Sequence, residues 1–156
     1  MKKTVQLKDL SKEIQNVSNI EPLAQQALVK AFTIAMGSLP RKSPVDTGMY
    51  AQSWGFEVGQ DKGVIYNEAP HAAIMEFGAR PHWAPIRPLL EWAKRKLGDQ
   101  SQPPNYSDNV WAMAKAVQKK IAEKGQDPKH ILENEWPEIL ENIYEDILQQ
   151  LRDKGY

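Results

Sequence analysis

The triplet Asp46-Thr47-Gly48 comes nearest, by residue type, to a catalytic motif in this chain. Aspartic proteases use this triplet, because two aspartate carboxylates held close together share one proton and act as general acid and general base. A second copy of the chain would have to supply the second carboxylate. The surroundings favour a different interpretation, since a proline stands where a strand should lead in and a bulky methionine follows the glycine. We interpret residues 43–48 as a rigid turn and keep an aspartic-protease-like hydrolase as the alternative. The residues of this structural turn are Pro44, Asp46, Thr47 and Gly48.

His71, Glu76 and His82 form the cluster of histidine and carboxylate side chains that best merits testing as a metal site. His71 and Glu76 would lie about 140° apart around a helix that turns about 100° per residue, so they would not share a face. The chain has no HExxH pattern, no glycine-rich phosphate loop and no GxSxG motif. We therefore predict no catalytic residue, no metal and no cofactor. A metal-dependent nuclease remains a further alternative. Otherwise these three side chains are expected to be solvated or to have a capping role.

Basic residues cluster near two tryptophans, which is a composition that can hold a phosphate backbone. The cluster consists of Arg80, Arg87, Lys94, Arg95 and Lys96, beside Trp83 and Trp92. However, 20 basic residues balance 20 acidic ones, so no overall field draws the protein to nucleic acid. Four later lysines are matched by acidic residues near the end of the chain, which favours pairing between helices or between copies. These lysines are Lys115, Lys119, Lys120 and Lys124, and the acidic residues are Glu138, Glu141, Glu145 and Asp146.

Composition limits the class of protein. There are 156 residues, enough for one domain with its own core, and no cysteine for disulfides, thiolate metal sites or a cysteine nucleophile. No apolar run approaches the roughly 20 residues that cross a bilayer, so we expect a soluble protein made in a cytoplasm. We predict a single domain over 1–156. Its parts are helices in 1–38, a turn, hairpin and Glu-Phe-Gly core in 40–97, a flexible loop in 98–108, and helices in 109–156.

Helical spacing of apolar residues dominates both ends of the chain. Residues 5–17 carry Leu7, Leu10, Ile14 and Val17 three and four apart, which predicts a short helix. A longer helix follows, capped by Ser18 or Asn19 and ended by Gly37. Its predicted buried face consists of Ile20, Leu23, Ala24, Ala27, Leu28, Ala31, Ile34 and Ala35.

Residues 54–66 carry the pattern of a β-hairpin. Apolar residues at 54, 56 and 58 alternate with polar or small ones, residues 59–63 form a polar turn, and 64–66 return as a second strand. Two strands are only marginally stable in water. We therefore expect the hairpin to be covered by a helix or extended by strands from another copy.

Further helices are predicted after the hairpin. The first covers 70–77, closed by Gly78, with Ile74 and Phe77 facing inward. An ordered loop then leads to a helix from Pro88 to 97, ended by Gly98. Asp108 or Asn109 caps a helix ended by Gly125, whose stripe is Val110, Ala114, Val117 and Ile121. The last helix is predicted to begin near 136–137 and to continue through 151.

The segment SPVDTGMYAQSW, then a hairpin, then NEAPHAAIMEFGARPHWAPIRPLLEWAKRKLG resembles the tail-completion or neck proteins of long-tailed bacteriophages. The resemblance covers about residues 19–124. His71 replaces the usual tyrosine, and the insertion at 102–107 and the long final helix depart from the pattern. The matching positions are Pro44, Asp46, Thr47, Gly48, Ser53, Trp54, Asn67, Ala72, Glu76, Phe77, Gly78, Pro81, His82, Trp83, Pro85, Leu90 and Trp92.

The resemblance implies an α+β fold, in which a small antiparallel sheet, the hairpin, packs against a long N-terminal helix and several helices follow. It implies no catalysis. Such a protein would form a homo-oligomeric ring in the virion, near the junction of head and tail, after synthesis in the bacterial host cytoplasm. Expected partners are the tail terminator or head–tail connector proteins, with DNA passing through the ring but no specific nucleic-acid or membrane binding. The suspected interface consists of His71, Glu76, Phe77, Gly78, Arg80, His82 and Trp83.

Overall fold

A computed structural model describes residues 1–9 and 20–155. It confirms the mixed α+β class, with a small antiparallel sheet and several helices. The chain divides into two compact units. Unit 1 contains residues 1–76 and 130–156, and unit 2 contains residues 77–129. The prediction of a single domain stays a prediction.

The sheet of unit 1 has three antiparallel strands in the order β1-β3-β2. Strands β2 (Trp54–Val58) and β3 (Lys62–Asn67) form the predicted hairpin. Strand β1 (Lys2–Gln6) pairs with the other edge of β3, with Lys2 opposite Tyr66. A strand therefore comes first in the chain, ahead of the long helix that was expected at the N-terminus. The short helix predicted over 5–17 is wrong at Val5, because pairing with β3 and burial of its side chain outweigh the helical spacing, and it is confirmed at residues 7–9, which are helical. The predicted helix residues Leu10, Ile14 and Val17, and the predicted caps Ser18 and Asn19, lie outside the described residues.

The long helix α1 (Ile20–Lys42) follows β1 and continues five residues beyond Gly37, its predicted end. Leu39 is fully buried, so its packing offsets the cost of a glycine and of Pro40 inside the helix. The predicted buried face is confirmed except at Ile34, which is 51% exposed. The Phe32 ring contacts Phe56 of β2 edge to face, with ring centroids 5.8 Å apart.

Helix α6 (Ile131–Asp153) packs into the same hydrophobic core as α1. It begins five residues before the predicted start at 136, and Pro137 lies inside it. Between α1 and α6, unit 1 also contains the short helices α2 (Met49–Gln52) and α3 (Ala72–Phe77). In α3 the buried residues are Ala72 and Glu76, so the prediction that Ile74 and Phe77 face inward is wrong.

Unit 2 contains helices α4 (Ile86–Leu97) and α5 (Asp108–Lys124). Helix α4 begins two residues before Pro88, which is accommodated in the first turn because its missing amide hydrogen has no helical partner there. Gly98 and Gly125 end α4 and α5 as predicted. Ser107 caps α5, one residue before the predicted cap at Asp108. The core between these helices consists of Leu90, Ala93, Val110 and Ala114.

The segment between α4 and α5 makes defined contacts. The Asp99 carboxylate accepts hydrogen bonds from the Ser101 amide at 2.7 Å and the Ser107 hydroxyl at 2.6 Å. These bonds hold its pKa below the ordinary value. The Tyr106 hydroxyl donates to Glu91. The predicted flexibility of the loop at 98–108 stays a prediction. In the two described stretches, 1–9 and 20–155, none of the helices is both long and apolar enough to cross a membrane.

Candidate functional site

The turn at 43–48 joins α1 to α2, and its conformation depends on glycine. Gly48 has a φ of +83°, a left-handed conformation that other residues resist. Its carbonyl accepts a hydrogen bond from the Gln52 amide at 3.0 Å, and the Thr47 hydroxyl accepts from the Met49 amide at 3.4 Å. Pro44, Asp46 and Thr47 are exposed. An exposed aspartate between two helices does not resemble the paired, strand-borne carboxylates of an aspartic protease.

Ser43, at the start of this turn, has a structural role that the sequence reasoning missed. Its buried hydroxyl donates to the Leu39 carbonyl at 2.7 Å and accepts from the Trp54 indole nitrogen at 2.9 Å. These two bonds tie the end of α1 to the first residue of β2. Its place beside Pro44 was the available signal, because a small hydroxyl residue there can satisfy the last helical carbonyls.

Asn67 holds the end of the hairpin in the same way. Its side-chain nitrogen donates to the Tyr50 carbonyl at 2.9 Å, and its side-chain oxygen accepts from the Ala69 amide at 3.0 Å. The side chain is 1% exposed. Asn67 therefore connects β3 to α2, and its matching position in the phage-protein pattern has a structural explanation here.

Glu76 caps helix α6. The side chain is 1% exposed, and its carboxylate oxygens accept from the Leu132 amide at 3.1 Å and the Glu133 amide at 2.7 Å. A negative charge that accepts these first-turn amides also interacts favourably with the helix dipole. This cap explains why α6 begins earlier than predicted. Glu76 is buried within the chain, so it does not belong to the exposed interface in which the sequence analysis placed it.

Tyr50 lies in the core of unit 1 near this cap. Its ring centroid is 5.6 Å from that of Trp54 and 5.8 Å from that of His71. Burial, and secondly the charge of Glu76, raise the pKa of Tyr50 to about 12. His71 itself is exposed at the surface of this cluster.

The three candidate metal ligands have separate environments. His71 lies against Tyr50, Glu76 is occupied by the α6 amides, and the His82 ring nitrogen Nδ1 lies 2.8 Å from the Arg80 carbonyl. Over residues 1–9 and 20–155, no group of three or more histidine, cysteine, aspartate or glutamate side chains has a metal-binding arrangement.

Backbone bonds fix the loop at 78–85, which we call the aromatic loop, to the rest of unit 2. The Ala79 amide donates to the Gln126 carbonyl at 3.0 Å, and the Gln126 amide returns a bond to the Ala79 carbonyl at 2.8 Å. Further along, the His82 amide donates to the Ile121 carbonyl at 3.3 Å, and the Gln118 side chain donates to the Ala84 carbonyl at 2.7 Å. The loop is therefore bonded along helix α5. The predicted non-helical loop over 80–88 is confirmed up to residue 85 and is wrong at 86–88, which belong to α4.

Two glycines allow this close approach. Gly78 has a φ of +73°, and a Cβ there would lie 2.4 Å from the Gln126 carbonyl oxygen. Gly125 has a φ of +75°, and a Cβ there would lie 2.1 Å from the Ala79 carbonyl oxygen. The backbone of Gly78 therefore positions the loop, whereas the sequence analysis placed Gly78 at a subunit contact.

Trp83 projects from the aromatic loop and is 73% exposed. It borders a groove of about 500 Å³, which we call the Trp83 patch. Two lysines of α5 line this groove. The Nζ atom of Lys115 lies 5.3 Å from the Trp111 ring centroid, and the Nζ atom of Lys119 lies 3.8 Å from the Glu123 carboxylate. Arg80 and His82 are also exposed, and Phe77 is 64% exposed. The groove is lined by Trp83, Lys115, Gln118, Lys119, Ala122 and Glu123.

Unit 1 carries a second groove of about 520 Å³ on helices α1 and α6, which we call the α1–α6 groove. Its exposed apolar residues are Ile34 and Leu148, and Glu145 lies beside them. Lys30 and Asp146 form an ion pair at this groove, and the hydrogen bond from Lys30 holds the Asp146 pKa below its ordinary value. Among the α6 residues that line the groove, Arg152 is the one nearest the C-terminal end of the helix.

Comparison with protein-family models, with curated proteins and with solved structures finds no match to this chain. Function is therefore inferred from the residues and their geometry. The described residues present three exposed features: Trp83 on the aromatic loop, a groove with two lysines and Glu123, and a groove with Ile34, Leu148 and two charges of each sign.

Proposed function

We propose that this chain is a non-enzymatic structural protein of the neck or tail of a long-tailed bacteriophage. Copies of it assemble into a ring that completes the tail or joins it to the head. The sequence resemblance over residues 19–124 supports this proposal, because its pattern contains both the turn residues 46–48 and the Glu-Phe-Gly segment. The ring contacts tail-terminator or head–tail connector proteins, and DNA passes through it without sequence-specific recognition.

The observation that carries the proposal is the exposure of Trp83 on a loop fixed by four hydrogen bonds. The loop backbone that carries Trp83 is already fixed by hydrogen bonds, so burying this residue orders little further backbone, and tryptophan is enriched among residues that dominate protein–protein binding. Phe77, Arg80 and His82 are exposed on the same unit as Trp83, and His71 is exposed on unit 1. Glu76 and Gly78 have structural roles within their own units. The proposed interface is therefore the exposed part of the set predicted from the sequence.

Ring assembly is measured by native mass spectrometry and negative-stain electron microscopy across a wide concentration range. Wild-type protein is expected to form closed rings of one copy number. Trp83→Ala removes the aromatic anchor and is expected to weaken assembly by about 30-fold or more, the effect of a strong interface residue. Leu97→Ala, which truncates another exposed apolar residue of unit 2, is the matched control and should assemble like wild type.

Arg80→Glu tests the charged part of the same loop. It should reduce ring formation or tail joining while the circular dichroism spectrum and melting temperature stay unchanged, with Lys129→Glu as the control for charge reversal at an exposed residue of unit 2.

Wild-type protein that stays monomeric at every concentration, alone and with purified heads and tails, would overturn the proposed function. Flanking genes for portal, connector and tail-tube proteins would support it.

A further inference from the structure

Two exposed surfaces of this chain complement each other in charge and in apolar character. The Trp83 patch has Lys115 and Lys119 one helical turn apart, both exposed. Glu123 also lines this patch, 3.8 Å from Lys119, so its charge offsets part of the positive charge there. The α1–α6 groove has Glu145 at its edge, and Glu141 lies one turn earlier on the same helix, also exposed. Each pair spans about 6 Å at 1.5 Å per residue, so two positive and two negative charges have matching spacing.

The apolar parts also match. Ile34 is 51% exposed and Leu148 is 49% exposed in the α1–α6 groove, and Trp83 is 73% exposed in its patch. Exposed large apolar side chains that occur together with complementary charges are typical of protein interaction sites. The α1–α6 groove therefore offers contacts for an indole ring, and charges at its edge to orient it.

We infer that Trp83 of one copy inserts into the α1–α6 groove of a second copy, where Lys115 and Lys119 of the first copy face Glu141 and Glu145 of the second. This inference rests on the proposed ring assembly and names its contact. The two surfaces are different, so the contact is head-to-tail. The first copy keeps its groove and the second keeps its Trp83 patch for the next neighbour. Such contacts generate a closed ring when the rotation between copies closes.

The positive charges that also line the groove restrict the direction of approach. Lys30 is held by its ion pair with Asp146, and Arg152 lies about two turns beyond Glu145 on α6. The lysines of an incoming copy would be repelled by Arg152 and attracted by Glu141. The incoming copy therefore approaches over the Glu141 end of the groove, and high salt should weaken the contact because the charges at its edge are screened.

The same lysines beside a tryptophan are also compatible with a nucleic-acid backbone. The matching acidic pair on this chain favours a second copy, because glutamates do not attract phosphates. A DNA-binding role predicts that reversing the lysines abolishes DNA binding and that reversing the glutamates leaves it intact. A contact between copies predicts that each reversal damages assembly and that their combination restores it.

The test is therefore a charge swap in the full chain. K115E/K119E and E141K/E145K should each raise the apparent dissociation constant of assembly by about tenfold or more, because each places like charges opposite one another. The fourfold variant K115E/K119E/E141K/E145K restores opposite charges and should assemble within about threefold of wild type. K62E/K129E, which reverses two exposed lysines elsewhere, is the matched control. Circular dichroism melts verify that every variant is folded.

Cross-linking tests the position of Trp83. The chain has no cysteine, so introduced thiols are the sole targets of a bismaleimide reagent. His82→Cys combined with Ile34→Cys should give a ladder of linked copies, whereas His82→Cys combined with Val45→Cys, also at an exposed residue, should not.

The outcomes separate the inference from the proposed function. Wild-type rings that persist unchanged in K115E/K119E would overturn this contact and leave ring assembly standing. Loss of assembly in both double variants without recovery in the fourfold variant would also overturn it. Loss of DNA binding, with assembly intact, would assign the lysines to nucleic acid instead. A wild-type protein that never assembles would remove the contact together with the proposed function.

Discussion

At the scale of single residues, Glu76 shows how a pattern can indicate an important residue without indicating its role. Its position within Glu-Phe-Gly singled it out, but the sequence left a metal ligand, an interface residue and a capping role all open for it. The amides that it caps lie 56 and 57 residues later in the chain. No local pattern contains that information, because the helix that needs the cap is distant in sequence.

Replacing Glu76 by glutamine should destabilise the protein. Glutamine keeps one side-chain oxygen but replaces the second acceptor with an amino group that faces a backbone amide donor. We expect the free energy of unfolding to fall by about 1.5–3 kcal/mol, the cost of losing a hydrogen bond to a buried charged group. Urea denaturation measures the loss, and hydrogen exchange should accelerate most at Leu132 and Glu133.

Glu57→Gln is the matched control, because Glu57 is an exposed glutamate on β2. It should change the free energy of unfolding by no more than about 0.5 kcal/mol. Equal effects of the two substitutions would show that Glu76 does not hold the start of α6.

At the scale of elements, sequence patterns predicted the structure where the signal is local. Alternation at 54–58 predicted β2, and glycines at 98 and 125 predicted the ends of α4 and α5, because both signals are local. Helix α1 instead runs past Gly37, since burial of Leu39 outweighs local propensity. Strand β1 has only five residues and no clear alternation, so its pairing with β3 was not predictable from spacing.

The aromatic loop depends on two glycines, which gives a prediction at this scale. Gly125→Ala places a Cβ 2.1 Å from the Ala79 carbonyl oxygen and also strains a φ of +75°. We expect it to lower the free energy of unfolding by about 3 kcal/mol or more, because the backbone must shift and the bonds between Ala79 and Gln126 break. Chemical denaturation measures this change.

Gly98→Ala controls for the strain alone. Gly98 also ends a helix with a positive φ of 63°, but a Cβ there would have no atom within 4 Å. Gly98→Ala should lower the free energy of unfolding by about 1 kcal/mol. If both alanine variants lost the same stability, the close approach of the aromatic loop would have no energetic importance.

At the scale of the whole molecule, composition and pattern predicted the α+β class but not the completion of the sheet. The hairpin was expected to need a covering helix or strands from another copy. Here β1 occupies the second edge of β3 and helix α1 contributes Phe32 to the same core, so the central strand is paired on both sides within one chain. The case for assembly therefore depends on exposed side chains and not on an unpaired central strand.

The free energy of unfolding should fall at alkaline pH, in part because the buried Tyr50 hydroxyl ionises there. Burial raises the pKa of its hydroxyl to about 12, from an ordinary value near 10. The folded state then holds this proton more tightly than the unfolded state does. Its contribution is fully present below about pH 10 and is lost as the pH rises toward 12, by at most about 3 kcal/mol before solvent screening.

Tyr50→Phe isolates this contribution. Tyr106, through its bond to Glu91, and Lys42, through its bond to Glu135, also have raised pKa values and lose their contributions in the same direction. Wild type should therefore lose more stability than Tyr50→Phe between pH 10 and 12, as measured by urea denaturation at each pH. Parallel stability curves for the two proteins would mean that Tyr50 ionises as freely when folded as when unfolded, and that the core around the α6 cap admits solvent.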